Sequence, residues 1–161
     1  MTTPEFAAFT ERLAAGQGQP EATYAALCAL TDALIGVKLF TLLTFDSETQ
    51  LARRFYSNQP EAYPVGGTKP VPSNHWVDEV LRQGKTFVAP DAKAIADVFP
   101  DYALIQSLGC ESCINIPVLV GGQVLGTLNC LHEAHHYTDG KIKASEALKL
   151  PGAAVFLLHR L

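Results

Sequence analysis

The chain has 161 residues, 48% of them hydrophobic and 17% charged, with a formal net charge of −4 and four cysteines. That length holds one domain with a full core, and that composition excludes a disordered chain. No basic run exceeds Arg53-Arg54 and no apolar run reaches membrane-spanning length, which excludes the footprint of a nucleic-acid binder or a membrane protein.

The opening residues Met1 to Glu5 lack the charged and apolar regions of a signal peptide, so a cytoplasmic protein with its cysteines as thiols is expected. Thr3-Pro4-Glu5 starts a helix whose Phe6, Phe9 and Leu13 form a stripe, ending at Gly16. Pro20-Glu21 opens a second helix that places Tyr24, Leu27, Thr31 and Leu34 on one face and stops at Gly36. Residues 38–45 and 51–57 read as strands joined by the turn Asp46-Ser47-Glu48-Thr49. The first is apolar on both faces, so both faces of its sheet must be covered. Residues 58–72, rich in proline and glycine, read as a long loop of the kind that closes over a binding site.

Ser73 or Asn74 caps a short helix carrying Trp76, Val77, Val80 and Leu81, and Thr86-Phe87-Val88-Ala89 is a brief strand. Two helical turns follow, broken at Pro100. Residues 109–132 form a β-hairpin about Gly121-Gly122, because two glycines supply the positive φ angles of a primed turn. With those glycines at its centre, Val120 faces Gln123, Ile116 faces Thr127 and Cys113 lies opposite Cys130. Thr138-Asp139 caps a last helix with a kink expected at Pro151.

Several local sequences carry a resemblance. They are Trp76 to Thr86 leading to Val88-Ala89-Pro90-Asp91, Leu108-Gly109 before Ile114-Asn115-Ile116-Pro117-Val118, Gly122 to Leu128, and Tyr137-Thr138-Asp139 before the last helix. In this order and spacing the chain resembles the GAF family of small-molecule-sensing domains over residues 20–161, with residues 1–19 as an N-terminal helix and linker. The resemblance implies a single α/β (α+β) domain: a central antiparallel sheet, terminal helices on one face, and loops and short helices roofing a ligand cavity on the other. It also implies a sensory domain without enzymatic activity, whose ligand is unidentified, paired as a homodimer through the terminal helices. Phe6, Phe9, Leu13, Ala154, Leu157 and Leu158 are the residues such a dimer would bury.

Within that frame Tyr56, Trp76, Asp91, Tyr102, Cys113 and Asn115 are the candidate ligand-binding residues, since pockets are apolar with a few placed polar groups. Asn115 stands out, because an amide in an apolar central strand needs a partner. No metal, cofactor or catalytic residue is favoured. The alternative is thiol chemistry by Cys110, Cys113 and Cys130, as in the free methionine-R-sulfoxide reductases of this family, although Asn129 and Leu131 stand where that branch has acidic residues. Cys110, Cys113, Cys130 and His132 also have the types of a tetrahedral zinc site. Cys130-Leu131-His132 is superficially similar to a bilin attachment site. His132-Glu133-Ala134-His135-His136 matches the zinc-protease pattern but falls in a loop, without the helix that would put both histidines on one face.

Overall fold

The computed structural model describes residues 3–161. Thr3 is extended and precedes α1 (Pro4–Ala14), with proline in the first turn, where its missing N–H costs no hydrogen bond. Helix α2 (Glu21–Ile35) buries Tyr24, Leu27, Leu30, Thr31 and Ile35 and ends at Gly36. Six strands follow along the chain: β1 (Leu39–Asp46), β2 (Leu51–Ser57), β3 (Thr68–Pro70), β4 (Phe87–Ala89), β5 (Ser112–Val120) and β6 (Gln123–His132). They form one antiparallel sheet in the order β3-β2-β1-β6-β5-β4.

Each face of the sheet carries its own core. Phe40, Leu42, Ile114, Ile116, Leu128 and Cys130 point to the helical layer of α1, α2, α5 (Asp139–Ser145) and α6 (Lys149–His159). Leu39, Cys113 and Leu131 point the other way, with Phe87 and Ala89. The roof there is the loop of residues 58–72, a π-helix (Val77–Arg82), α3 (Ala92–Ala96) and α4 (Tyr102–Ser107). Helix α6 reaches the sheet because Gly126 offers no side chain: a Cβ there would collide with the Leu43 carbonyl and the Phe156 ring.

The architecture is the one the sequence implies, with four local corrections. Residues 58–72 contain the edge strand β3, whose Lys69-Pro70 has none of the apolar alternation that marks a strand. The segment capped by Asn74, read as an ordinary short helix, is wound as a π-helix. The last helix breaks into α5 and α6 at a 3₁₀ turn over Glu146–Leu148. Pro151 therefore lies in the first turn of α6 instead of kinking a continuous helix, which removes the clash of its ring with the preceding turn.

The fourth correction is the hairpin register. Gly121 and Gly122 both have positive φ and Val120 pairs with Gln123, as the turn requires. Between Val118 and Leu119 the register then shifts by one residue, because Leu125 is an extra residue on β6. Ile116 consequently faces Leu128, not Thr127, and Cys113 faces Leu131, not Cys130. Since neighbouring side chains point to opposite faces, that slip puts Cys113 and Cys130 on opposite sides of the sheet.

Candidate functional site

On the roofed side, between sheet and loops, lies a cavity of about 140 Å³. Its floor is a polar strip across three central strands. Thr41 on β1 pairs with Asn129 on β6, which pairs with Asn115 on β5. Strand alternation turns all three toward the cavity, and all are buried. The Asn115 amide donates to Asn129 Oδ1 at 2.7 Å, and its oxygen accepts the Trp76 indole N–H at 3.0 Å. Thr127 Oγ1 donates to Asn129 Oδ1 at 3.0 Å, and Asn129 Nδ2 reaches Thr41 Oγ1 at 3.3 Å. Buried amides left without partners would cost about 1–3 kcal/mol each, and here every one is engaged.

Leu39, Leu43, Phe45, Val98, Ile105 and Leu131 supply the apolar walls. Trp76 is held among them by edge and tilted contacts with Phe45 and Phe99. Toward the β2–β3 edge the lining changes character, to Arg54, Tyr63, Lys69 and Asp101. Tyr63 donates to Asp101 Oδ2 at 2.5 Å, and Arg54 lies 4.8 Å over the Tyr63 ring. Burial and the Asp101 acceptor raise the Tyr63 phenol well above its ordinary range, so it stays a donor.

A protein-family model for the GAF domain matches residues 19–148. The chain belongs to the GAF domain family. Among solved structures, it is similar to the GAF domain of a two-component sensor histidine kinase from Bacillus halodurans, with a TM-score of 0.68 and 14% identity over 84% of this chain and 92% of that one. It is similar to the GAF domain of the phosphoenolpyruvate-protein phosphotransferase of Acinetobacter, with a TM-score of 0.68 and 12% identity over 99% of this chain and 98% of that one. The chromophore-binding domain of a bacteriophytochrome from R. palustris superposes with a TM-score of 0.63 and 10% identity, over 95% of this chain and 58% of that one. At these identities the likeness establishes the fold alone. No curated protein matches the sequence significantly.

In this GAF domain three of the six candidate ligand-binding residues, Trp76, Cys113 and Asn115, come together at the cavity. Three do not. Tyr56 belongs to the opposite face, packed on Phe40 and Tyr24. Asp91 caps α3, accepting the Ala94 N–H at 2.9 Å. Tyr102 is 49% exposed on α4, outside the lining. The sequence reading missed Thr41, Thr127, Asn129, Arg54, Tyr63, Lys69 and Asp101 as site residues. For the first three a signal existed, since Thr127 and Asn129 are polar residues two apart in an apolar strand and Thr41 is a polar residue flanked by apolar ones in β1. For the rim residues of the long loop none did.

The cysteine cluster is dispersed by the same geometry. All four cysteines are free. Cys130 is fully buried beneath the helices, so it joins neither a cavity thiol pair, nor a zinc tetrahedron with Cys110 and Cys113, nor a bilin in the cavity. Burial pushes the Cys113 thiol up to about 12 and raises those of Cys110 and Cys130, opposite to the activation a nucleophilic thiol needs. His132, Glu133 and His136 do gather, with ligand atoms within 4.8 Å of one another. They sit at the end of β6 and in the following turn, with no helix. The two imidazoles stack at 3.5 Å with 7° between their planes, so one ion cannot lie in both ring planes. Lys141 Nζ, 3.4 Å from His136 Nε2, adds a cation where a metal would go.

Proposed function

We propose that this GAF domain is a non-enzymatic sensory module that takes up a free small molecule in the roofed cavity and relays its presence through the terminal helices. The observation that carries this reading is the floor of the cavity, where Asn115, Asn129 and Thr127 form a buried polar strip inside apolar walls. Such a strip fixes the strand register, and a ligand site likewise uses a few fixed polar groups inside apolar walls to orient what it holds. The volume of about 140 Å³ is far below what a tetrapyrrole or a cyclic nucleotide requires, which supports a compact ligand.

The relay surface in this reading is the helical layer. Leu157 is 46% exposed and Leu161 fully exposed on the outer side of α6 and its end, which supports a homodimer through the terminal helices. Phe9, one of the stripe residues, is already buried within the subunit and leaves α6 the larger share of such an interface. Four free thiols suit the reducing cytoplasm, and a net charge of −4 gives nucleic acid no attraction. Among the described residues no helix is long and apolar enough to cross a membrane.

Trp76 is the single tryptophan of the chain and lines the cavity, so its fluorescence reports directly on occupancy. Titration of a library of compact metabolites, followed by Trp76 emission and native mass spectrometry, is expected to yield saturable binding at one site per chain. A library in which no compound changes either signal refutes the reading. Sedimentation showing only monomer at micromolar concentration refutes the dimer.

A further inference from the structure

We propose that the ligand is a compact apolar monoanion, a single carboxylate on an aromatic or branched hydrocarbon, with its head group at Arg54 and Lys69 and its body against the apolar walls. This inference rests on the reading of the cavity as a ligand site and adds the chemical class of what enters it.

Size comes first. A dry protein cavity of about 150 Å³ lined by leucine, isoleucine and phenylalanine holds benzene. The present cavity, at about 140 Å³, therefore takes a body of about one benzene ring, with anything larger projecting through the mouth. Leu39, Leu43, Phe45, Val98, Ile105 and Leu131 make that body apolar.

Charge decides the head group. Arg54 on β2 lines the cavity, Lys69, exposed on the edge strand β3, borders it at the same sheet edge, and Asp101 faces them from the start of α4. Two cations against one carboxylate leave one positive charge. Asp101 already accepts the Tyr63 hydroxyl, and no salt bridge joins it to either cation. The ion pairs among the described residues are Arg82–Asp78 in the π-helix and Lys149–Glu146 between α6 and the 3₁₀ turn before it, so Arg54 and Lys69 have no carboxylate partner within 4.0 Å. Arg54 Nη1 donates to the Pro64 carbonyl at 3.1 Å, but its Nε is buried with no hydrogen-bond partner. Arg54 lines the cavity with a guanidinium that no carboxylate neutralises, and a carboxylate held there forms charge-assisted hydrogen bonds with it. A dianion would bring a second charge against Asp101, and a cation would meet the net positive charge.

The test compares isosteres on the wild-type chain, read by Trp76 fluorescence and calorimetry: benzoate, benzamide and benzylammonium, together with 4-methylpentanoate and its zwitterionic analogue leucine. Benzoate is expected to bind about tenfold or more tightly than benzamide and benzylammonium, and 4-methylpentanoate more tightly than leucine. Arg54→Gln should weaken benzoate about tenfold and benzamide much less, with Arg54→Lys in between. Far-UV circular dichroism of each variant verifies folding, and the wild-type comparison needs no variant. Equal binding of benzoate and benzamide, or preference for leucine, overturns the monoanion while leaving a ligand cavity in place. If none of these compounds binds, the monoanion falls, and the metabolite library alone decides whether the cavity is a ligand site.

Discussion

Asn115→Asp is nearly isosteric and tests the floor of the cavity through one exchange of NH₂ for oxygen. Asn115 is 3% exposed, donates to Asn129 Oδ1 at 2.7 Å and accepts from Trp76 at 3.0 Å. A protonated acid reproduces both bonds, since its O–H replaces the amide donor. An ionised one sets a charged oxygen against the Asn129 oxygen with no cation beside it. The folded state is thus expected to hold the acid protonated, its pKa raised far above the unfolded value of about 3.9. The sign follows from linkage: a raised folded-state pKa gives stability that is complete below about 3.9 and lost as pH rises. If the protonated form fits as the amide does, the penalty is about 1.4 kcal/mol per pH unit above about 3.9, or about 4 kcal/mol near pH ~7 and about 1.5 kcal/mol near pH ~5. Urea unfolding of variant and wild type at the two pH values, followed by circular dichroism, measures the difference. A deficit of equal size at both would show that this site is wet or loosely packed, and the reasoning about a buried network would fail.

Gly126→Ala is expected to cost about 3 kcal/mol or more or to prevent folding, because the new methyl meets the Leu43 backbone and the Phe156 ring, whereas Gly152→Ala meets only Val118 and Leu128 methyls at 3.0 and 3.1 Å and should cost less; thermal melts rank the two. Native protein treated with iodoacetamide near neutral pH should leave Cys113 and Cys130 unmodified by mass spectrometry, and mild oxidation should form no disulfide between them; rapid labelling of Cys113 would revive the thiol chemistry. His132 is held below its ordinary value of 6.5 by burial, then by the charges of His136 and Lys38. The unfolded state therefore binds more protons just below pH 6.5, and the melting temperature should fall as pH drops through that window, less so in His132→Gln; parallel profiles would refute the assignment.

The layers of the fold were legible because they follow from patterns that survive small errors. Strand β1 is apolar on both faces, which demanded cover above and below, and the glycine turn fixed the start of the hairpin. What the sequence concealed was which side chains share a face farther along. In β2, Ala52 and Arg54 line the cavity, and strict alternation would add Tyr56. The register shift between Leu42 and Leu43 leaves Phe55 without an opposite residue, and Tyr56 turns to the helical side against Phe40.

In β6 the extra Leu125 does the same to every residue beyond it, converting an expected cysteine pair into an asparagine pair. A bulge carries no composition of its own, since leucine and phenylalanine suit a regular strand equally well. Its signature lies in what it achieves. With a regular ladder, Asn115 would face the residue before Asn129, and the amide that closes the buried network would point into the helical core without a partner. The polar residues at Thr41, Asn115, Thr127 and Asn129 can all be satisfied on one face only if the ladder slips where it does. The demand that buried amides find partners is therefore the evidence that fixes the register, and hydrophobic alternation alone, which tolerates either register for cysteine, could not supply it.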